Sequence, residues 1–186
     1  KCYTLSYDKK DEIQAFFNRI KEWKAEAYSN KDKYKENPVW EDSAHAVDDL
    51  MTGLRYLQYT DIAVEIFEYK SNEEVYGLGL VHRYKDSGHS CLFSLVRNPS
   101  FVEKEKAHKV GTSIISKILE NSIDRGDVES FDFSSRRSAL GFYEHLGFEF
   151  PDKSGFSPSS KKVHSIKIQQ LFCDIQQKLS LTSASS

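Results

Sequence analysis

The sequence predicts an α+β fold, in which one mixed and mostly antiparallel sheet is flanked by helices. The chain of 186 residues has the length of a single domain and can enclose a hydrophobic core. Helix-like and strand-like spacings of apolar residues alternate along it. The resulting element order, β-α-α-β-β-β-α-β-α-β-β, is typical of one sheet packed against helices.

The first part of the chain predicts a strand and two helices. Residues 2–7 alternate in the manner of a strand, and residues 11–28 carry a helical apolar stripe. Residues 29–41 are polar and contain a proline, so we expect a loop there. A second helix is expected to begin after a cap at Asp42 or Ser43.

The middle of the chain predicts an antiparallel meander. Residues 61–69, 75–84 and 90–96 alternate in the manner of strands and are rich in β-branched and aromatic side chains. The turn-like segments SNEE and KDSG connect them. Three consecutive strands are therefore expected to lie side by side.

Two further helices enclose a strand. Helical spacing covers residues 110–123 and 138–146, and a strand is predicted at residues 128–135 between them. Gly147 suits a left-handed stop after the second of these helices, and Phe148 can fold back onto its last turn.

The C-terminal region predicts three features. Residues 148–150 and 161–168 are expected to pair as a final hairpin. Residues 171–179 predict a short helix, and the polar residues 181–186 predict a disordered tail.

Composition argues against several classes of protein. A net charge of −2 gives no strong attraction to nucleic acid or to an anionic membrane, so neither is expected as a partner. Cys2, Cys91 and Cys173 form no CxxC pair, which fits a reducing compartment, and we expect a cytoplasmic protein. The six histidines include no HxxxH or HExxH pair, so no metal site is expected. No apolar run is long enough to span a bilayer.

One ten-residue segment carries the most specific motif in the chain. It follows the pattern A-x-x-F-Y-x-x-x-G-F, with Ala139, Phe142, Tyr143, Gly147 and Phe148 at the named positions. This segment and the element order resemble the GNAT superfamily of N-acetyltransferases. The resemblance implies a GNAT-like fold, acetyl-CoA as cosubstrate and transfer of the acetyl group to a primary amine.

The resemblance also implies a division of the chain. A GNAT-like domain is expected over residues 1–170, followed by a short helix and polar tail over residues 171–186. In this family the acceptor is chosen by two loops, which correspond here to residues 29–41 and 151–162. GNAT-like domains often pair, so a homodimer stays an open alternative.

The second signature of the family, Q/R-x-x-G-x-G/A, is degenerate in this chain. The matching residues 106–111 read KAHKVG, so Gly111 is retained and Lys109 replaces the first glycine. In the family this turn binds the pyrophosphate of acetyl-CoA, because the N-terminus of a helix offers unpaired N–H groups and a positive dipole. A side chain at Lys109 is compatible with that role only where its backbone does not need a positive φ.

The resemblance therefore assigns cofactor contacts to a run of residues around this turn. These residues are Lys106, His108, Lys109, Val110, Gly111 and Thr112. The alternative is a solvated charged loop that precedes an ordinary helix.

Tyr143 has two interpretations. Its helical spacing alone is that of an aromatic side chain at the edge of a core. In the family, the tyrosine at this position protonates the departing CoA thiolate. The reference pKa values of about 10 for a phenol and about 8.5 for a thiol allow that transfer. Full burial of the hydroxyl would count against the acid role.

The resemblance assigns further cofactor contacts to two strand ends. In the family a bulge in the fourth strand presents a backbone N–H that polarises the thioester carbonyl, and Leu95 and Val96 match that position. Their side chains equally suit a plain buried strand. Ser135 and Arg136 match a polar cofactor contact that is usually an asparagine, whereas a helix cap at Ser134 or Ser135 is the alternative.

A base is needed to remove a proton from the acceptor, because a lysine-like amine has a pKa of about 10.4. Glu129, Asp132 and His89 are the candidates. Glu129 and Asp132 are an odd number of residues apart, so a regular strand would point only one of them toward the site.

The function predicted from the sequence is acetyl-CoA-dependent N-acetyltransfer to a primary amine of a protein or a small molecule. An aminoacyl-tRNA acceptor would require a strongly basic surface, which the net charge does not favour. The alternative from another class is a degenerate GNAT-fold module that binds CoA or a protein without catalysis. The eroded glycine signature supports that alternative.

Overall fold

The computed structural model describes residues 2–6, 8–36, 38–101 and 109–184. The strands are β1 Cys2–Leu5, β2 Ile62–Ser71, β3 Glu74–Tyr84, β4 His89–Arg97, β5 Ser130–Phe133 and β6 Val163–His164. The helices are α1 Lys10–Ser29, α2 Pro38–Leu54, α3 Val110–Arg125, α4 Leu140–His145 and α5 Ser165–Ala184. The strands form one sheet in chain order, and neighbours pair antiparallel except for the parallel pair of β4 and β5. The α+β class and the mostly antiparallel sheet are thereby confirmed.

The second helix begins earlier than the sequence analysis predicted. α2 starts at Pro38, so neither Asp42 nor Ser43 is its cap. A proline is well placed at the first position of a helix, because its N–H would have no partner there and its φ is already helical. The segment predicted as a loop also contains a 3-10 helix at Lys31–Lys35.

The predicted meander is confirmed. β2, β3 and β4 are consecutive neighbours in the sheet. Asn72 and Glu73 connect the paired residues Ser71 and Glu74, and both have a positive φ, of 50° and 66°. Two successive left-handed residues are typical of a tight hairpin turn whose twist matches that of the strands.

The C-terminal region differs most from the prediction. The Lys161 N–H donates to Glu149 O at 2.7 Å, so the segments 148–150 and 161–168 do meet. Their predicted strand hairpin is wrong, since residues 163–164 pair with β5 and α5 begins at Ser165. α5 spans 20 residues, so it is longer than the predicted helix and includes four of the six residues expected in a disordered tail. The predicted division at residue 170 thus falls inside one helix.

Each face of the sheet carries its own core. α1 and α2 cover one face, where the buried cluster is formed by Leu5, Phe16, Ile20, Trp23, Val47, Leu50, Leu54, Val64, Ile66, Val75, Leu78, Leu80 and Val96. α3, α4 and α5 cover the other face. There Ile168, Leu171 and Ile175 of α5 join the apolar side of α3. This burial explains why the last helix is part of the fold and not an appendage.

Two different contacts hold α3 against the sheet. The start of α3 packs closely on β3 at Gly77, where an added Cβ would lie 2.5 Å from Cγ1 of Val110. Near its end, Arg83 of β3 is buried and donates to the Ser122 hydroxyl at 2.7 Å, while its Nε lies 3.4 Å from Glu65 Oε1. A buried arginine retains its charge only with such partners, so the end of α3 is fixed in position.

His82 is a buried residue of β3, and its side chain lies on the face of the sheet that α2 covers. Its ring lies between Tyr56 and Phe93, with centroids at 4.3 and 4.6 Å, and its Nε2 donates to Gly53 O at 3.1 Å. Removal from solvent lowers the pKa of His82 to about 4. The imidazole is therefore neutral at physiological pH.

Gly77→Ala is expected to destabilise the fold by about 1–3 kcal/mol, because the new methyl group would overlap a stiff, buried valine at the start of α3. Urea unfolding measures the change. Gly141→Ala is the matched control, since a Cβ at Gly141 meets no atom within 4 Å. Equal unfolding free energies for Gly77→Ala and the parent protein would contradict the close packing described here.

The lowered pKa of His82 predicts that acid destabilises the folded protein. The unfolded chain binds a proton at His82 below pH 6.5, whereas the folded protein binds it only near pH 4. The stabilisation is therefore present above pH 6.5 and is lost as the pH falls toward 4, by roughly 2–3 kcal/mol. His82→Gln keeps an N–H donor without the titration, so its unfolding free energy should fall less over that range.

Urea unfolding of both proteins at several pH values between 7 and 4 measures this difference. His164→Gln is the control, because His164 is exposed and its replacement should leave the parent pH dependence intact. If His82→Gln and the parent lose the same stability, the buried histidine does not cause the acid sensitivity.

Candidate active site

A cavity of about 720 Å³ opens where β4 and β5 part. The two strands pair from His89 with Ser130 to Leu92 with Phe133, and β5 then ends. β4 continues to Arg97, and among the described strands only β3 still accompanies it. The gap that remains is bounded by α2, by the start of α3 and by α4 with the segment that precedes it.

A β-bulge at Phe93 accompanies this divergence. The consecutive β3 residues Leu80 and Val81 pair with Ser94 and Leu92, which leaves Phe93 as the extra residue. Phe93 and Ser94 both face α2, since Phe93 packs against the core there and the Ser94 hydroxyl donates to a backbone carbonyl of α2 at 3.0 Å. An extra residue turns the strand and re-aims the residues that follow it.

The bulge lies earlier than the sequence analysis placed it. Leu95 and Val96 were matched to the bulge, whereas the structure has it at Phe93. The side chains around this position are nearly all apolar, so their pattern did not distinguish one position from the next. Leu95 and Val96 line the cavity nevertheless, on the part of β4 that extends beyond β5.

The start of α3 forms one end of the cavity. Val110, Gly111 and Thr112 line it, together with Lys109, which precedes the helix. Lys109 has φ 47° and ψ 45°, so its backbone does need the left-handed conformation that the family's glycine provides. A Cβ at Gly111 would lie 3.0 Å from Cζ of Phe142, so this glycine lets α4 approach closely.

Tyr143 lines the cavity from α4. It is 7% exposed, and its ring packs against Phe133 and Phe142 with centroids at 4.4 and 5.0 Å. Burial raises the pKa of the Tyr143 hydroxyl. In the described part of the chain this hydroxyl has no hydrogen-bond partner. It is also not fully enclosed by protein atoms. It therefore reaches the cavity.

The end of α4 fixes the backbone beneath Tyr143. Gly147 has φ 105°, and its N–H donates to Glu144 O at 3.0 Å. The N–H of Phe148 donates to Tyr143 O at 3.1 Å, and the Phe148 ring is buried against Phe133. These two bonds form the glycine-stopped helix end that the sequence predicted.

Ser135 and Arg136 also line the cavity. The Ser135 hydroxyl donates to Arg136 O at 2.8 Å, and no side chain caps α4 or the 3-10 helix Arg137–Ala139 before it. The alternative of a serine cap is therefore wrong. Nη2 of Arg136 lies 3.0 Å from Oδ2 of Asp49, which joins this segment to α2.

Two carboxylates of the site were not predicted from the sequence. Asp42 and Asp49 of α2 line the cavity, and Asp42 accepts a hydrogen bond from the Ser138 hydroxyl. The seven-residue spacing places both on one face of the helix, which is a signal that the sequence contained. Which face meets the site depends on how α2 packs, and the sequence alone did not give that.

The three residues suggested as bases do not line the cavity. His89 Nε2 donates to Asp132 Oδ1 at 3.1 Å and His89 Nδ1 lies 2.8 Å from the Ser130 hydroxyl, at the other end of the parallel strand pair. Glu129 is exposed beside that pair. Lys106 and His108 fall outside the described residues.

Among the residues that the structure describes, no group of three or more His, Cys, Asp or Glu side chains could hold a metal ion. None of the described helices combines the length and the apolar character that a membrane crossing requires.

Comparison with known proteins gives similarity in structure alone. No protein-family model and no curated protein matches the sequence. The crystal structure of PaiA N-acetyltransferase from Thermoplasma acidophilum in complex with coenzyme A is similar over 86% of this chain and 96% of that one, with a TM-score of 0.51 and 15% identity.

Two other solved structures are less similar. Mutant forms of the spermidine/spermine N-acetyltransferase SpeG from Vibrio cholerae match over 67% of this chain and 80% of that one, at 13% identity and a TM-score of 0.47. The ribosomal-protein-S18-alanine N-acetyltransferase from Escherichia coli matches over 62% and 74%, at 14% identity and a TM-score of 0.41. The PaiA structure supports the same fold for this chain, with a mostly antiparallel sheet flanked by helices. This chain has the fold of the GNAT N-acetyltransferases, as the sequence resemblance predicted.

Proposed function

We propose that this protein is an N-acetyltransferase that moves the acetyl group of acetyl-CoA to a primary amine. The amine nitrogen attacks the thioester carbonyl, a C–N bond forms and the C–S bond breaks. The sulfur gains one proton and the nitrogen loses one, so the products are an amide and free CoA.

The observation that supports this proposal most directly is the set of residues that lines the cavity. The gap between β4 and β5 is lined by the described residues that the resemblance assigned to the cofactor. The hydroxyl of Tyr143 borders the same gap. The described cofactor residues that line it are Leu95, Val96, Lys109, Val110, Gly111, Thr112, Ser135 and Arg136.

Each wall of the cavity suits a different part of acetyl-CoA. The extended backbone at Leu95 and Val96 would accompany the pantetheine arm, because β5 has already ended there. The first N–H groups of α3, at Val110 to Thr112, would bind the pyrophosphate. Lys106 and His108 precede this helix in the sequence and would add positive charge near the phosphates.

Tyr143 would donate the proton to the CoA sulfur. Its raised pKa keeps the phenol protonated at neutral pH, as a general acid requires. The raised value need not prevent the transfer, because desolvation raises thiol pKa values as well. Burial raises the pKa of Cys91 to about 12 in this same fold. A thiolate formed inside the apolar part of the cavity would be comparably basic.

The alternative is a module that binds CoA or a protein without catalysis, and Lys109 supports it. A non-glycine residue in the left-handed region costs about 1–2 kcal/mol, and its side chain restricts how closely a phosphate approaches the backbone. The unpartnered hydroxyl of Tyr143 in the cavity favours the enzyme, since a purely structural tyrosine would more commonly have a hydrogen-bond partner when buried.

Tyr143→Phe tests the acid role, because it removes the hydroxyl and keeps the ring that packs against Phe133. We expect kcat for thiol release to fall about a hundredfold or more, with the dissociation constant for acetyl-CoA unchanged. Calorimetry measures binding, and a thiol-reactive dye measures release with a mixture of primary amines as acceptor. Tyr69→Phe is the control, since Tyr69 packs on the same side of the sheet outside the cavity.

The results separate the candidate functions. Acetyl-CoA binding without thiol release by the parent protein would favour the non-catalytic module. No binding at all would exclude both functions at this cavity. Equal turnover by Tyr143→Phe and the parent would leave the enzyme intact but remove Tyr143 as its acid.

Lys109→Gly tests the strain at the start of α3. Glycine relieves the left-handed conformation but loses more entropy on folding, so a net stabilisation of about 0.5–1 kcal/mol is expected in urea unfolding. Lys117→Gly, on the exposed side of the same helix, should instead destabilise the protein by about 1 kcal/mol. A loss of stability in Lys109→Gly would contradict the backbone conformation described for this residue.

A further inference from the structure

The α2 wall of the cavity is acidic. Asp42 and Asp49 line it, with the small residues Ser43 and Ala46 between them. The two carboxylates are seven residues apart and therefore separated by about 10 Å along the helix axis. They flank a stretch of wall that offers no bulky side chain.

The partners of these carboxylates leave room for a ligand. Oδ2 of Asp49 lies 3.0 Å from Nη2 of Arg136, and both side chains of that ion pair are more than one-third exposed. Such an exposed pair contributes little to stability, so a cation from outside can share or replace it at little cost. Asp42 accepts from a neutral hydroxyl, that of Ser138, so this contact places no positive charge beside it.

Apart from Arg136, two further positively charged residues line the cavity, Arg97 and Lys109. Arg97, at the end of β4, pairs in the sheet with Gly77, which contacts Val110 next to Lys109. Arg97 and Lys109 therefore mark the end of the cavity where α3 begins, and that end suits an anion. The carboxylates on α2 suit a cation.

An independent feature indicates that a ligand enters this cavity. The Tyr143 hydroxyl lies on a side chain that is 7% exposed, it borders the cavity, and it has no hydrogen-bond partner in the described part of the chain. A largely buried phenol needs a hydrogen-bond partner, and the cavity is where a partner for Tyr143 must lie.

We propose that Asp42 and Asp49 select the acceptor of the proposed acetyl transfer, and that this acceptor binds as an alkylammonium cation against the α2 wall. The cation releases one proton to solvent before its nitrogen attacks the thioester, and the neutral amine then reacts as described above. This inference rests on the proposed function where it identifies the bound cation as the acetyl acceptor. The cation site itself is defined by the two carboxylates. Arg136 then acts as the resident counter-ion of Asp49 and competes with the acceptor for it.

Structural roles for the two carboxylates make different predictions. Asp42 lies near the start of α2, where a negative charge favours the helix dipole, and Asp49 joins α2 to the segment before α4. Removal of either charge would then change stability without changing affinity for a small cation. Loss of Arg136 removes a repelling charge in either case, so the two aspartate variants make the distinction.

The experiment uses the whole protein and 1-pentylamine hydrochloride, with 1-pentanol as the uncharged probe of the same length. Dissociation constants come from NMR chemical-shift titrations at constant ionic strength. Asp42→Asn and Asp49→Asn should each weaken pentylammonium binding about tenfold, the effect of losing one charge-assisted hydrogen bond. Arg136→Gln should strengthen it several-fold.

Neighbouring acids on the same helix provide matched controls. Glu41 and Asp48 do not line the cavity, and they contact His45 and Lys24. Glu41→Gln and Asp48→Asn should leave the dissociation constant within about twofold of the parent value, because these charges are farther from the site and screened by solvent.

Each outcome decides for or against the inference. Weaker binding in both cavity variants, tighter binding in Arg136→Gln and unchanged binding in the controls would establish the cation site. No saturable binding by the parent, equal affinity for pentanol, or equal affinity in all variants would overturn it. Acetyl-CoA binding and thiol release, measured separately, decide the proposed function, so either idea can fail while the other survives.

Discussion

The parting of β4 and β5 is the constraint on which the site depends. Sheet strands normally continue side by side, because unpaired backbone groups are costly when they are buried. Here β5 ends after four residues, and the bulge at Phe93 changes the direction of β4 at the same level. The exposed edge of β4 then forms one wall of the cavity. Without that divergence the Tyr143 hydroxyl would face a closed sheet.

The same bulge connects the site to both cores. It leaves Phe93 and Ser94 on the α2 side, where Phe93 packs against His82 and the Ser94 hydroxyl bonds to the backbone of α2. α2 is thereby held beside the bulge, and its acidic face meets the cavity. On the opposite side Leu95 packs against the core that includes α3. One extra residue in one strand thus sets the relative positions of the two helices that border the cavity.

Much of the fold could be predicted because local patterns determined it. The strands of the meander and the apolar stripe of α3 follow simple periodicities, and Gly147 with Phe148 specifies the end of α4. The prediction failed at the C-terminus for a physical reason. A short alternating segment, residues 161–168, satisfies a strand pattern, yet Ile168 lies three and seven residues before Leu171 and Ile175 and belongs to the helical face of α5. Burial of the longer helical pattern against α3 outweighed the local strand preference.

The site was less predictable than the fold, because it depends on contacts between distant segments. Tyr143, Gly111 and Ser135 were found through a motif or a family position, and the structure brings them to one cavity. Asp42 and Asp49 belong to no such motif. Their importance emerges only when the packing of α2 turns that face toward β4.

At Lys109 the residue type and the backbone conformation do not match. A side chain was expected to suit this turn only where the backbone does not need a positive φ, yet the backbone at Lys109 has φ 47° and accepts the strain. Such strain persists only when the surrounding structure determines the conformation, and here Val110 is buried against Gly77 directly after it. The shape of the turn is therefore imposed by the packing of α3 and not by the residue at its start.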